Sequence, residues 1–127
     1  MKSNYFPHQV SNILHEDLDH RFMGNHHLDD GSIYVWENVN GQWTTVSTIR
    51  TDGGRLMKLA LSEDCERLYA AGADGCIRVF VRGDQVEPWK LHTVLSWHRG
   101  PIRALLLTAG FLCSGSDDQV RPCMLCR

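Results

Sequence analysis

The chain has 127 residues, a size that fits one domain, and 43% of them are hydrophobic, which is enough for a packed core. Its formal net charge of -2 provides no overall basic field, so the composition argues against nucleic acid as a partner. The longest apolar runs, such as 104–107, are far below the ~18 residues that span a bilayer, which argues against a membrane protein.

The cysteines and the first residues indicate the cellular compartment of the protein. Cysteine occurs five times, an odd number, and Cys65, Cys76 and Cys113 stand where small apolar residues would also serve. The first seven residues lack the apolar core of a secretory signal. A reduced setting in the cytoplasm or nucleus is predicted, not secretion.

Within the first 50 residues one turn and the strand after it are recognisable as part of a repeat. Residues 1–20 are polar and faintly patterned, and they are predicted to be a leader or a degenerate innermost strand. Arg21–Met23 is predicted to begin a strand in which Gly24 aligns with Tyr69. The segment 30–36 then matches 74–80 position for position, 44 residues apart.

The middle of the chain contains every strand of one repeat. Segments 42–49 and 89–96 are β-branched or alternating runs suited to outer strands. Segments 55–61 and 101–107 are nearly continuous apolar runs, as expected of innermost strands covered on both faces. Between them, 68–80 predicts a β-hairpin around a turn at Asp74 and Gly75.

The last repeat departs from the pattern near its end. Segment 112–119 matches 68–75, but Pro122 then takes the place of Val79 and Cys123 the place of Phe80. Because proline removes a ladder donor, the last hairpin is expected to be weakly paired, and no fourth strand follows it.

A period in the forties with four strands per unit is typical of a propeller blade. At these residues the chain resembles the WD-repeat β-propeller family. The resemblance implies an all-β fold: a partial β-propeller of about three four-stranded blades, the first and last degenerate. The blades are predicted at approximately 21–50, 54–97 and 100–127. Since propellers have about four to eight blades, the chain is expected to be an arc with two open ends, from a longer or truncated propeller.

The resemblance also implies roles for particular residues. In the family a His, a Ser or Thr, an Asp and a Trp hydrogen-bond within each blade, and the second repeat has Asp52, Ala70 and Phe80 in three of these places. The structural network is predicted at Asp30, Trp36, Asp74, His98, Ser114 and Asp118. Family partners commonly dock on the loops that enter the innermost strands and the turns beside them. The corresponding candidates are Asp52, Arg55, Trp97, Arg99, Arg103 and Asp117.

The predicted function is a non-catalytic scaffold that binds proteins or peptides, without cofactor or metal. Trp97 either contacts a partner or fills space between two blades. Open blade edges carry unpaired donors and acceptors, so self-association is also expected.

Two alternatives come from other classes of function. Cys123 and Cys126 have zinc-ligand spacing, which leaves open a small zinc-binding protein. Cys113, His92 and His98 are its possible further ligands. A hydrolase would use His98, Ser114 and Asp118, but nothing like a nucleophile elbow surrounds the serine.

Overall fold

The computed structural model describes residues 21–24, 31–84, 87–108, 110–117 and 120–124, the last range through its backbone. Ten β-strands and no helix occur within these ranges. The strands are β1 (Arg21–Gly24), β2 (Ser32–Val39), β3 (Gln42–Arg50), β4 (Leu56–Leu61), β5 (Arg67–Gly72), β6 (Cys76–Arg82), β7 (Trp89–Ser96), β8 (Ile102–Thr108), β9 (Phe111–Ser116) and β10 (Val120–Met124). Nothing in the described part of the chain is a helix long and apolar enough to cross a membrane. The predicted leader at 1–20 lies outside the described residues.

The strands form three antiparallel sheets that follow one another along the chain. Blade 1 has the order β1-β2-β3, blade 2 the order β4-β5-β6-β7, and blade 3 the order β8-β9-β10. Consecutive strands are neighbours in every sheet, as expected of linked hairpins. The predicted fold class, a partial β-propeller of three blades, is confirmed. Of the described strands, only those of blade 2 make a complete set of four.

Backbone geometry at the turns explains where the hairpins reverse. Asn40 and Gly41 both have positive φ, 53° and 83°, which is the requirement of a type I′ turn between β2 and β3. Gly31 and Gly75 stand at equivalent places before β2 and β6, and their φ angles are 78° and 85°. A side chain at either position would be strained, so glycine fixes the start of both strands.

Two apolar cores lie on opposite faces of blade 2. Along β5, Leu68 and Ala70 point to one face, while Tyr69 and Ala71 point to the other. The first core joins blade 1 to blade 2 and contains Met23, Ile33, Val35, Ile49, Leu56, Leu59, Leu68, Ala70, Phe80 and Trp89. The second joins blade 2 to blade 3 and contains Tyr69, Ala71, Ile77, Val79, Ile102 and Leu112. Blade 2 is therefore covered on both faces by its neighbours.

The alignment predicted for β1 is wrong by one residue. Met23 pairs with Val35, just as Tyr69 pairs with Val79 in blade 2. Met23 and not Gly24 is thus the equivalent of Tyr69. The side chains explain the shift, because this register buries Met23 in the first core.

The last hairpin keeps a regular register past its proline. β10 pairs with β9 over five residues, and Pro122 lies opposite Cys113 without a register shift. The weak pairing expected of this hairpin stays a prediction, because the register does not measure how strongly the strands are paired. Cys123 lies opposite Leu112, as Phe80 lies opposite Leu68, which is the predicted register.

Truncating the second core should destabilise the whole arc. Ile77 is fully buried between blades 2 and 3, so Ile77→Ala is expected to lower the free energy of unfolding by about 2–5 kcal/mol. Leu91→Ala, on the exposed β7 strand, is the matched control and should change it by no more than about 0.5 kcal/mol. Urea denaturation measures both. Equal effects of the two changes would contradict the assignment of the core.

Candidate partner-binding surface

The predicted partner-binding residues gather at one end of the sheets. The pairs Leu56 with Gly72 and Ile102 with Ser116 place the loops entering β4 and β8 beside the turns that follow β5 and β9. We call this the loop end, and it comprises residues 51–55, 73–75, 97–101, 103 and 117, since Arg103 near the start of β8 lies against Asp117. The opposite end carries the turns at 40–41 and 62–66.

Backbone hydrogen bonds hold the loops at this end. Thr51 N donates to Gly31 O at 3.0 Å, and His98 N donates to Gly75 O at 3.1 Å. A β-carbon on Gly75 would collide with His98 O, so the close approach needs glycine. Ala73 N donates to Arg55 O at 2.8 Å and joins a loop to the turn beside it. The backbone of the loop end is thereby fixed to the sheets.

These bonds correct the alignment at one position, the place where the second repeat has Asp52 instead of the family's histidine. Thr51, not Asp52, takes the place of His98, because its backbone bond to Gly31 repeats the bond from His98 to Gly75. Thr51 is buried, and its hydroxyl donates to Gly31 O at 2.6 Å. Asp52 is exposed and has a φ of 57°. The loop from β3 to β4 has one residue less before this position than the loop from β7 to β8, which sequence alignment alone did not reveal.

In blade 3 the structure brings two predicted network residues together. His98 Nε2 and Ser114 Oγ lie 2.8 Å apart, and both side chains are buried. Asp118 lies outside the described residues, and the side chain of Cys123 is not described. Ser114 stands inside β9, opposite Leu105. A buried hydroxyl in a regular strand is out of reach of a substrate, so this geometry does not support the hydrolase alternative.

In blade 2 Asp74 forms a salt bridge with Arg78. Arg78 Nη2 lies 2.9 Å from Asp74 Oδ2, and Cys76 N donates to Asp74 Oδ1 at 3.1 Å. Gly53 packs so closely on the guanidinium that a β-carbon there would displace it. Arg78 therefore links the hairpin of blade 2 to the loop from blade 1. The spacing of Asp74 and Arg78 was visible in the sequence, but the family pattern gave no role to an arginine there.

The same salt bridge governs the ionisation of Asp74. Partial desolvation alone would raise the pKa of this carboxyl, but the hydrogen bonds from Arg78 and from the backbone of Cys76 outweigh it. The pKa of Asp74 is accordingly lowered from its ordinary 3.8.

The remaining network residues belong to blade 1. Trp36 is buried and stacks on Tyr34, with ring centroids 6.0 Å apart. Asp30 lies outside the described residues.

The predicted partner-binding side chains divide into exposed charges and one packed indole. Asp52, Arg55 and Arg99 are exposed. Arg103 Nε lies 3.2 Å from Asp117 Oδ1, and both side chains are mostly exposed. Trp97 is half-buried and packs against the second core. The surface is therefore a set of charged side chains on a fixed backbone.

The zinc alternative gains no support from the described residues. Within ranges 21–24, 31–84, 87–108 and 110–117, no group of three or more His, Cys, Asp or Glu side chains is placed to hold a metal. Cys126 lies outside the described residues.

Removing the buried hydroxyl should weaken the attachment of the loop end. Ser114→Ala leaves His98 without this hydrogen-bond partner in a buried place, so a loss of about 1–3 kcal/mol in unfolding free energy is expected. His92→Ala, an exposed histidine on β7, serves as the control and should have little effect. Thermal and urea unfolding measure the difference. Unchanged stability of Ser114→Ala would contradict the role of this bond.

The contribution of Asp74 should depend on pH. Because its folded-state pKa lies below the ordinary value, the stability it provides is present at neutral pH and is lost as the pH falls through the folded pKa. Asp74→Asn should therefore lower the free energy of unfolding at pH 7, and the gap to the parent should narrow below about pH 4. Urea titrations across pH test this, with Asp52→Asn as the exposed control. A gap that is constant with pH would refute it.

Comparison with known proteins supports the fold, but it does not identify a family or a function. No family model matches the sequence, and no curated protein matches it significantly. The crystal structure of Saccharomyces cerevisiae Sqt1 is similar with a TM-score of 0.77 at 18% identity, over 98% of this chain and 35% of that one. Two computationally designed proteins, Ika8 and Ika4, are each similar with a TM-score of 0.65 at 20% identity over 91% of this chain, which covers 33% of Ika8 and 66% of Ika4. The chain thus spans about a third of the length of Sqt1 and of Ika8, and the likeness shows a shared fold.

Proposed function

We propose that the chain is a non-catalytic protein-interaction module of the WD-repeat type, and that its loop end receives proteins or peptides. The observation that carries this proposal is the contrast within the loop end. Its backbone is held to the sheets by the bonds of Thr51 and His98, while the charged side chains beside them are exposed. A fixed backbone with exposed side chains reduces the conformational entropy that binding would otherwise lose.

The chemistry of the surface favours a polar, charged protein segment as the partner. Arg55, Arg99 and Arg103 lie at the loop end together with Asp52 and Asp117. Both signs of charge are present, and the whole chain is slightly acidic, so the surface does not form the basic stripe that a nucleic acid needs. Arginine is also enriched at the centres of protein interfaces.

The proposed compartment is the cytoplasm or nucleus. Cys65, Cys76 and Cys113 are free thiols; Cys65 is buried and the other two are half-buried. Thiols in such places behave as small hydrophobic residues, which suits a reducing environment.

Self-association is the second part of the proposal. In the described chain the outer side of β10 and the inner side of β1 pair with no further strand. Exposed sheet edges can pair with strands of other chains, and such pairing is the self-association expected from the sequence. Pro122 in β10 works against strand addition at that edge, because proline carries no N–H.

Charge reversal at the loop end should weaken partner binding without unfolding the protein. Arg99→Glu combined with Arg103→Glu places two acidic side chains on the surface of blade 3, and at least a tenfold loss of affinity is expected, the equivalent of about 1.4 kcal/mol. Trp97 is left intact because it packs against the second core. The assay is affinity capture from cell extract, followed by titration of the captured protein.

The control for this experiment is Lys90→Glu, a charge reversal on an exposed residue of β7 at the opposite end. It should retain the captured proteins. If the double variant and Lys90→Glu capture the same proteins equally, the loop end is not the binding surface. Circular dichroism melts of all variants should coincide with the parent.

A further inference from the structure

The turn between β2 and β3 holds the single Asn–Gly pair of the sequence, Asn40–Gly41. Asn40 is exposed, and within the described ranges its side chain makes no hydrogen bond. Asparagine is among the chemically labile side chains. The residue after it lacks a side chain, so nothing shields the peptide nitrogen of Gly41 from the neighbouring amide. The pair therefore has the composition of a site at which asparagine reacts with its own backbone.

The peptide nitrogen of Gly41 lies outside the ladder that joins β2 to β3. The strand pair nearest the turn is Val39 with Gln42, and Gly41 N donates instead to Asn38 Oδ1 at 3.0 Å. This hydrogen bond is exposed. A solvent-exposed bond at the tip of a hairpin opens at little free-energy cost, so it protects the N–H weakly. Water has access to both the nitrogen and the side-chain amide.

The Asp–Gly pairs of the described chain lack this combination. In Asp74–Gly75 the carboxylate is held by Arg78, and the glycine N–H donates to Gly72 O at 3.2 Å. In Asp52–Gly53 the guanidinium of the same Arg78 lies against the glycine. Both aspartates also offer a carboxylate, which is ionised at neutral pH and resists attack by a nucleophile more than a neutral amide does. Asn40–Gly41 is thus the pair best placed to react.

We propose that Asn40 is a site of spontaneous deamidation, in which the Gly41 nitrogen attacks the side-chain carbonyl of Asn40. A bond forms between that nitrogen and Cγ, the bond from Cγ to Nδ2 breaks, and the amide leaves with the N–H proton as ammonia. The product is a five-membered succinimide ring. Water then opens the ring: attack at Cγ leaves aspartate, and attack at the main-chain carbonyl leaves isoaspartate, in which the backbone runs through the former side chain.

The two products should affect the hairpin differently. Aspartate tolerates the positive φ of position 40, so this product adds one negative charge and keeps the turn. Isoaspartate makes the main chain one carbon longer, and a type I′ turn has no room for it in a loop of two residues. The strand pairs beside the turn include Trp43, which is stacked on Phe22 at 5.2 Å. Isoaspartate should therefore loosen blade 1 at the end opposite the loop end, so the proposed partner binding does not depend on the reaction.

Incubation of the folded full chain in mildly alkaline buffer, followed by peptide mapping with mass spectrometry, tests the proposal. Asn38 is the matched internal control, because it is also exposed but precedes Val39, whose β-branched side chain shields the peptide nitrogen. Asn40 should lose its amide at least about tenfold faster than Asn38, a difference of ~1.4 kcal/mol in the barrier. The reacted peptide should separate into two products of equal mass, one of which matches the peptide from an Asn40→Asp variant.

Urea unfolding of the separated products gives a second measurement. Asn40→Asp should unfold as the parent does, while the isoaspartate form should unfold at lower urea. An Asn40 that keeps its amide throughout, or equal rates at Asn38 and Asn40, would overturn the proposal. A product that is aspartate alone would overturn it as well, since direct hydrolysis does not pass through the ring. Partner capture through the loop end should be the same for the parent and Asn40→Asp, which separates this result from the proposed function.

Discussion

The structure depends on the burial of blade 2 between its two neighbours. A β-sheet with two apolar faces is unstable in water unless both faces are covered, and here blade 1 covers one and blade 3 the other. The alternation along β5 divides its side chains between the two cores. Blades 1 and 3 each share one core with blade 2, so the stability of the arc is expected to decline from the middle outward.

A backbone hydrogen bond that repeats along the chain fixes the start of each loop between blades, even where the side chains differ. In one loop a threonine and in the next a histidine donates its backbone N–H to the glycine that precedes the next-to-last strand of the same blade. Side chains then make the contacts between blades in different ways: His98 lies against Ser114 of blade 3, while Arg78, held by Asp74, lies against Gly53 in the loop from blade 1. The repeat thus preserves the backbone bond, and each blade adds the side-chain contacts that its own residues allow.

The periodicity of the sequence made the sheets predictable, whereas differences in loop length limited the alignment of individual residues between repeats. The match of 74–80 to 30–36 fixed the hairpins, and period-two patterning assigned the strands to faces. Alignment failed at Met23 and Thr51, since one residue more or less in a loop moves every later position and no local pattern marks where the difference lies. The ion pair of Arg78 with Asp74 was missed because the family pattern has another partner for the aspartate. Position 97 was left open between core and surface, and the indole packs against the second core.

Amide hydrogen exchange tests the central claim, that blade 2 is stabilised by cover on both faces, most directly. Exchange of β5 and β6 amides should require unfolding of the whole arc, so their opening free energies should equal the global value from denaturation. Amides of β2 and β9, the middle strands of blades 1 and 3, should exchange through smaller openings and show lower protection. Equal protection in all three blades, or the highest protection in blade 1 or blade 3, would contradict the account.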